Sequence, residues 1–159
     1  MERQAFMDAA AQYQDMVYRI ALHWFGVPQD AEDAVQEVFL RLYTAEKPFE
    51  SGEHLRRWLI RVTVNVCKDA MKSPWRKRRV SMESIPEPVF QEPEQLELYR
   101  EVMALPEKYR TVLDLYYYEE FSTKEIAALL NIRQTAVTTR LARGRELLKQ
   151  RLREVWQDE

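Results

Sequence analysis

A proline-containing stretch that interrupts helical periodicity near the middle of the chain constrains the fold more than any other feature. Pro86, Pro88 and Pro93 occur there among Glu and Ser, and apolar residues lose their regular spacing. Proline lacks a backbone donor, and this composition is typical of extended linkers. On both sides apolar residues recur at helical intervals, and the chain has only 3 Gly. We therefore predict an all-α protein with two small helical domains, residues 1–74 and 96–159, joined by a flexible linker at 75–95.

Three helices are predicted in the first domain. The first ends near the sequence Gly26-Val27-Pro28. For the second helix, Asp30 is placed to cap the N-terminus, and Asp33 lies in the favourable first turn. The third helix continues from Leu55 until Pro74 stops it. Apolar stripes along all three indicate one compact bundle.

The second domain contains the sequence pattern of a helix-turn-helix. Ser122 and Glu125 form a capping-box pattern that opens one helix, and Asn131 suits the left-handed turn that ends it. A further helix follows, with Val137 and Leu141 facing its core. Such a helix can enter the major groove, whereas an ordinary helical hairpin with a basic exterior has a similar pattern. The side chains left for its outer face are Arg133, Gln134, Thr135, Thr138, Thr139, Arg140 and Arg143.

Charge is sorted into blocks of alternating sign, although the formal net charge is only −2. Residues 55–79 contain nine bases and one acid, and residues 121–153 contain eight bases and two acids. The flanking blocks, residues 1–54 and 80–120, are acidic. Phosphate neutralisation needs local positive charge, so this sorting indicates a polyanion with two separate contact patches. The alternative is two basic helix faces that are simply solvated.

Residues 55–72 mix bases with aromatic and polar side chains, a pattern that suits unpaired nucleic-acid strands. Asn65 is the sharpest candidate because its amide can pair with a base edge, although it could equally cap a backbone group. Phe49, in the preceding loop, is either a packing plug or part of a pocket for an unstacked base. Trp58 lies on the apolar stripe and is predicted to belong to the core.

The order of these segments resembles the extracytoplasmic-function (ECF) sigma factors of bacterial RNA polymerase over nearly the whole chain. Residues 30–43, DAEDAVQEVFLRLY, resemble the polymerase-binding helix of that family, and residues 57–72, RWLIRVTVNVCKDAMK, resemble its minus-10 helix. Residues 105–132, LPEKYRTVLDLYYYEEFSTKEIAALLNI, followed by residues 135–149, TAVTTRLARGRELLK, resemble its minus-35 domain. Four matches in the family's order are far more specific than any one of them.

The resemblance implies a two-domain initiation factor. Its first domain would bind core RNA polymerase and the melted minus-10 element. Its second would read duplex minus-35 DNA through the seven outer-face side chains named above, Arg133, Gln134, Thr135, Thr138, Thr139, Arg140 and Arg143. The implied partners are the beta-prime clamp helices and beta flap of core polymerase, promoter DNA, and a separate anti-sigma protein. The implied polymerase-binding surface, of mixed charge, comprises Asp33, Gln36, Glu37, Leu40 and Arg41. The implied minus-10 residues are Lys47, Phe49, Ser51, Arg57, Arg61, Asn65, Lys68 and Lys72.

Other classes of protein compete with this interpretation. A helix-turn-helix regulator acting without polymerase would normally dimerise and bind paired half-sites, and an adaptor that binds only protein would show no salt-dependent DNA affinity. An enzyme is least supported, because no nucleophile, carboxylate pair or glycine-rich phosphate loop emerges. Cys67, His23 and His54 lack metal-ligand spacing, so no metal or cofactor is expected. No apolar run approaches the roughly 20 residues that span a bilayer, so a cytoplasmic protein without membrane insertion is expected.

Overall fold

The computed structural model describes residues 1–46, 48–72 and 93–157. Within these ranges all regular secondary structure is helical, which confirms the predicted all-α class. No helix in these ranges is long and apolar enough to cross a membrane. The described residues fall into two compact units, unit 1 up to residue 72 and unit 2 from residue 93. Of the predicted linker, residues 75–92 lie outside the described ranges; the next helix begins at Pro93, because proline is tolerated in the first turn.

Unit 1 is a bundle of three mutually packed helices: α1 (Arg3–Phe25), α2 (Pro28–Tyr43) and α3 (Gly52–Met71). Gly26 ends α1 as the sequence predicts: its φ of 72° is left-handed, and its N–H donates to Leu22 O at 2.8 Å. The side chains that meet at the centre of the bundle are fully buried, among them Val17, Val38, Leu42, Leu59 and Val64.

The start of α2 differs from the prediction. The helix begins at Pro28, and Val27 occupies the N-cap without a side-chain cap. Asp30 therefore lies in the first turn and is not the cap, and Asp33 lies beyond that turn. Proline explains the difference. Its fixed φ and missing N–H suit the first position of a helix, whereas the sequence prediction placed Pro28 at the end of α1.

Unit 2 contains α4 (Pro93–Met103), α5 (Glu107–Leu113), α6 (Thr123–Leu130) and α7 (Gln134–Gln157). A π-helical turn, Asp114–Tyr118, continues α5, where the spacing predicted ordinary helix. The long helix α7 packs against α4, α5 and α6. The fully buried side chains of this core include Val112, Leu115, Ile126 and Val137.

The predicted capping box at the start of α6 is present. Ser122 Oγ accepts from the Glu125 N–H at 3.1 Å, and Glu125 Oε1 accepts from the Ser122 N–H at 3.0 Å. Two backbone donors of the first turn are thereby satisfied. The box fixes where the helix-turn-helix begins.

Replacing Ser122 by Ala is expected to lower the free energy of unfolding of unit 2 by about 1 kcal/mol, because a first-turn donor loses its acceptor. Hydrogen exchange in urea, read from peptides covering α6, measures this change. Ser122→Thr keeps a hydroxyl acceptor and is the matched control. Equal protection in Ser122→Ala and the wild type would show that the cap contributes nothing to stability.

Candidate nucleic-acid interface

Helices α6 and α7 form the predicted helix-turn-helix. Asn131, at φ 55° and ψ 49°, makes the left-handed turn that ends α6. Gln134 Nε2 donates to Thr123 Oγ1 at 2.8 Å and ties the start of α7 to the start of α6. Val137 and Leu141 are buried on the inner face of α7. The outer face of α7 is thus held in a fixed orientation relative to α6.

Helix α7 also lies unusually close to α5. A Cβ atom added at Gly144 would come within 3.3 Å of Leu113 Cδ1 and 3.4 Å of Tyr109 Cβ. Glycine therefore permits an approach that is tighter than most side chains allow. This contact places the start of α5 beside the outer face of α7.

A cationic pocket of about 360 Å³ opens where α5 and α7 meet. Five of the seven residues predicted to read the minus-35 element line it: Arg133, Thr135, Thr139, Arg140 and Arg143. The other two engage in bonds inside unit 2: Gln134 donates to Thr123, and Thr138 Oγ1 donates to Thr135 O at 2.9 Å.

Two further residues of the pocket, Lys108 and Tyr109 of α5, were missed by sequence analysis. Lys108 is one of only three bases in the acidic block 80–120, so counting charge by block concealed it. Its proximity to α7 depends on tertiary packing between residues more than 20 positions apart. A turn separates the helix that ends at Met103 from the helix that begins at Glu107, so Lys108 lies in the first turn of a new helix. This turn is the signal that could have identified Lys108.

In unit 1, α3 carries the predicted basic stripe. Arg57, Arg61, Asn65, Lys68 and Lys72 recur at intervals that place them on one helix face. Asn65, Arg61 and Lys72 are exposed, and Lys68 is half-buried. The opposite face is buried in the bundle. Lys47, also predicted for this site, lies outside the described residues.

Arg57 is partly neutralised within unit 1. Its Nε lies 3.0 Å from Glu53 Oε1, and Arg56 Nη1 lies 3.2 Å from the same oxygen. These contacts are solvent-exposed, and such ion pairs contribute little to stability.

Burial lowers the pKa of Lys68 from its ordinary value, and the positive charge of Lys72 lowers it further, while Asp69 acts in the opposite direction. The folded chain consequently binds fewer protons than the unfolded chain between the lowered pKa and 10.5, and stability rises with pH in that window. A phosphate beside Lys68 favours the charged form and so raises this pKa.

Lys72→Gln is expected to raise the pKa of Lys68, because one of the two causes that lower it is removed. The pKa of Lys68 is expected to return only part of the way to its ordinary value, because burial still lowers it. An NMR titration that follows the Lys68 side chain measures the change, with Lys149→Gln in unit 2 as a control of equal charge. A Lys68 pKa that stays the same in Lys72→Gln would contradict the interaction between the two lysines.

In the loop before α3, Phe49 packs against two other aromatic rings, and its part in a pocket for an unstacked base stays a prediction. Its ring makes edge contacts with Trp58 and His54, with centroids 5.3 Å apart in both cases. Trp58 is half-buried and is not part of the buried core, so its prediction as a core residue is wrong. Ser51 Oγ accepts from the His54 N–H at 3.0 Å and caps α3, which starts three residues earlier than predicted.

The outer face of α2 is mostly exposed, as its predicted docking role requires. Leu40 is 58% exposed, and the Arg41 guanidinium contacts the Glu37 carboxylate at 3.0 Å one turn away. Asp33 and Gln36 are also exposed, and Glu37 is half-buried. Tyr43, which sequence analysis did not select, adds an exposed ring beside this face. Leu40 and Tyr43 are three residues apart on the helix and so are neighbours on its surface, and an exposed apolar patch rimmed by polar residues is a feature of protein-binding surfaces.

Two helical units, one with a helix-turn-helix whose outer face is cationic and one with a basic stripe, define a helical DNA-binding protein. The model of Sigma-70 region 2 matches residues 9–77, and that of Sigma-70, region 4 matches residues 95–148. The chain belongs to the ECF sigma factors of RNA polymerase, and its function is that of a sigma factor.

Individual relatives support this membership. The chain is 30% identical to the ECF RNA polymerase sigma factor SigW of Bacillus subtilis, an alignment that covers 97% of this chain and 92% of SigW. It is 32% identical to SigE of Mycolicibacterium smegmatis over 87% of this chain and 58% of that protein. The fold is similar to that of the sigma factor RpoE from Bartonella quintana, solved in complex with the anti-sigma factor NepR. That similarity has a TM-score of 0.74, with 20% identity, and covers 94% of this chain and 98% of RpoE.

Proposed function

We propose that unit 1 binds core RNA polymerase and the melted minus-10 element, and that unit 2 reads the minus-35 duplex. The observation that carries this proposal is the presence of two exposed cationic helix faces, residues 57–72 and 133–143, in the segments that match regions 2 and 4. We assign residues 1–74 to the first function and residues 93–159 to the second, because α4 already begins at Pro93, inside the predicted linker 75–95.

The polymerase-binding role of unit 1 is assigned to the outer face of α2. Leu40 supplies an exposed apolar anchor, and Asp33 supplies a carboxylate that would repel DNA. The charge of this face is mixed, unlike that of the basic stripe on α3. We assign the beta-prime clamp helices to this surface, whose proposed members are Asp33, Gln36, Glu37, Leu40 and Arg41.

The minus-10 role is assigned to the basic stripe on α3 and the loop before it. Asn65 lies exposed midway along the stripe, where its amide can pair with the edge of an unstacked base. Arg57, Arg61, Lys68 and Lys72 would hold the backbone of the strand on either side. Phe49 and Ser51 keep the loop in place through their packing and capping contacts, and Lys47 is proposed as a further contact. Capturing a flipped base stabilises the open strand without any bond chemistry.

The minus-35 role is assigned to the first half of α7. Arg133, Thr135, Thr139, Arg140 and Arg143 present donors along the cationic pocket, where Arg can read guanine and Thr can contact bases or phosphates. We propose that Gln134 and Thr138, exposed on the same half of α7, contribute once DNA replaces their contacts inside unit 2. A regulator acting without polymerase is not favoured, because residues 9–77 match Sigma-70 region 2 and residues 95–148 match Sigma-70, region 4.

Reconstitution with core RNA polymerase tests the proposal. The full chain, mixed with core enzyme and genomic DNA, is expected to form a complex and to produce transcripts that start downstream of shared promoter elements. Leu40→Asp is expected to weaken the complex with core, because a charge replaces the exposed apolar anchor, whereas Leu98→Asp, at an exposed leucine of unit 2, leaves it intact. Failure of the wild-type chain to bind core enzyme would overturn the proposal.

We further propose an anti-sigma protein as a regulatory partner, together with the beta flap as the contact of unit 2 on polymerase. The support is the complex of the similar sigma factor RpoE with NepR. Because core polymerase and the chromosome are in the cytoplasm of bacteria, we place the protein there as well.

A further inference from the structure

The side chain of His54 joins the loop before α3 to the first turn of that helix. Its ring nitrogen Nδ1 accepts a hydrogen bond from the Glu50 N–H at 3.0 Å, while its backbone N–H donates to Ser51 Oγ. The pattern is similar to a capping box, in which the side chain three residues after the N-cap accepts from the N–H of the N-cap. Here the histidine accepts from the residue before the N-cap. The order of the helix start therefore extends into the loop.

The ring of His54 also packs against this loop. His54 and Trp58 are one turn apart on α3, and the Phe49 ring makes edge contacts with both, with centroids 5.3 Å apart. Three consecutive loop residues are thus held in place, each by a different contact: Phe49 by its ring, Glu50 by its N–H and Ser51 by its hydroxyl.

His54 lies at the N-terminal end of the basic stripe on α3. Arg57, Arg61 and Asn65 follow it at intervals of three, seven and eleven residues, and this spacing places all four on one helix face. The side chain of His54 is exposed, as are those of Arg61 and Asn65. One side chain therefore shares the helix face assigned to the minus-10 strand and bonds to the loop assigned to the same strand.

We propose that His54 is a positioning residue of the minus-10 site, which holds the loop in one arrangement relative to the basic stripe before a strand binds. The inference rests on the proposed function of unit 1. A loop that is already fixed in place loses less conformational freedom when it binds, so affinity for an unstacked base rises. The acceptor at Nδ1 is the group that matters, because it bonds directly to the backbone of the loop.

Three substitutions of His54 separate the acceptor from the ring. His54→Ala removes both, His54→Phe keeps an aromatic ring without an acceptor, and His54→Asn keeps an acceptor, the amide oxygen, in the position of Nδ1. All three retain the backbone N–H that donates to Ser51 Oγ, so the cap of α3 remains. NMR of the full chain is expected to show faster exchange of the Glu50 amide proton in His54→Ala and His54→Phe, and the wild-type rate in His54→Asn.

The functional test uses the full chain bound to core RNA polymerase. The probe is a promoter fragment selected by the wild-type complex from genomic DNA and prepared with the minus-10 element unpaired. We expect His54→Ala and His54→Phe to bind it about fivefold more weakly than the wild type, and His54→Asn to bind it as tightly. An abasic site is then placed at each unpaired position in turn. The difference between wild type and His54→Ala is expected to disappear at the position whose base the loop holds and to persist at the others.

Wild-type affinity in His54→Ala, failure of His54→Asn to restore binding, or restoration by His54→Phe would overturn the positioning role. A loss that is equal at every abasic position would overturn it as well, because that pattern indicates a general change in unit 1. If unpairing the minus-10 element does not raise the affinity of the wild-type complex, the result instead contradicts the proposed function of unit 1.

Discussion

Leu141→Ala is expected to lower the free energy of unfolding of unit 2 by about 2–5 kcal/mol. Leu141 is only 2% exposed and anchors the inner face of α7, directly after Arg140 of the cationic pocket. Truncation removes apolar burial and leaves a cavity beneath the recognition helix. A unit of fewer than 80 residues has a small free energy of unfolding. We therefore expect α7 to lose its fixed orientation in this variant and minus-35 binding to be lost as a result.

Hydrogen exchange followed unit by unit measures this effect in the full chain. Peptides from α5 to α7 are expected to lose protection, whereas those from α1 to α3 keep it, because the substitution touches only unit 2. Leu98→Ala is the control: the same chemical change at a leucine of unit 2 that is 46% exposed should stay within about 0.5 kcal/mol of the wild type. Equal protection in the Leu141 and Leu98 variants would show that Leu141 does not hold α7 in place.

Arg143→Ala is expected to weaken binding to the minus-35 duplex by about 1–3 kcal/mol and to relax preference at one base pair. Its guanidinium is exposed, lines the cationic pocket and projects from the half of α7 that would enter the major groove. Arg140 shares the pocket but is half-buried, so its substitution would also change packing within unit 2. Substitution of the exposed Arg143 therefore tests DNA binding more directly. Competition between a duplex selected by the wild-type full chain from a random pool and single-base variants of that duplex measures both affinity and preference.

Arg145 offers a control on the same helix. It lies two residues further along, on a different face, where it donates to Tyr117 and stacks near the Tyr116 ring. Arg145→Ala removes the same charge but is expected to leave base preference unchanged. A uniform loss in Arg143→Ala with a weaker dependence of affinity on salt would assign Arg143 to phosphate and not to a base, and no loss at all would remove it from the interface.

The elements that sequence predicted best are those with strictly local causes. The capping box at Ser122 and the left-handed turn at Asn131 depend on residues within one helical turn, and both are present. The stripe around Asn65 follows from helical spacing alone. Pro28 was misread because proline both follows a helix end and begins the next helix, and only the tertiary fold decides where the boundary falls.

The parts of the candidate site that sequence missed depend on distance across the fold. Lys108 joins the arginines of α7 only because α5 packs against that helix. The pairing of Arg57 with Glu53 follows from helical spacing, yet counting charge by block conceals it, because Glu53 falls in the acidic block 1–54 and Arg57 in the basic block 55–79. Helical periodicity gave no sign of the π-helical turn at Asp114–Tyr118, because four of its five residues are apolar or aromatic and therefore fit any helical period.

The close approach at Gly144 has a consequence for promoter alignment. Because α5 and α7 are in contact at Leu113 and Tyr109, the start of one helix and the outer face of the other keep a constant separation. A group bound at the start of α5 would therefore lie at a set distance from a group bound on the outer face of α7. A single residue without a side chain would thus set the spacing between the two surfaces with which unit 2 meets a promoter under the proposed function.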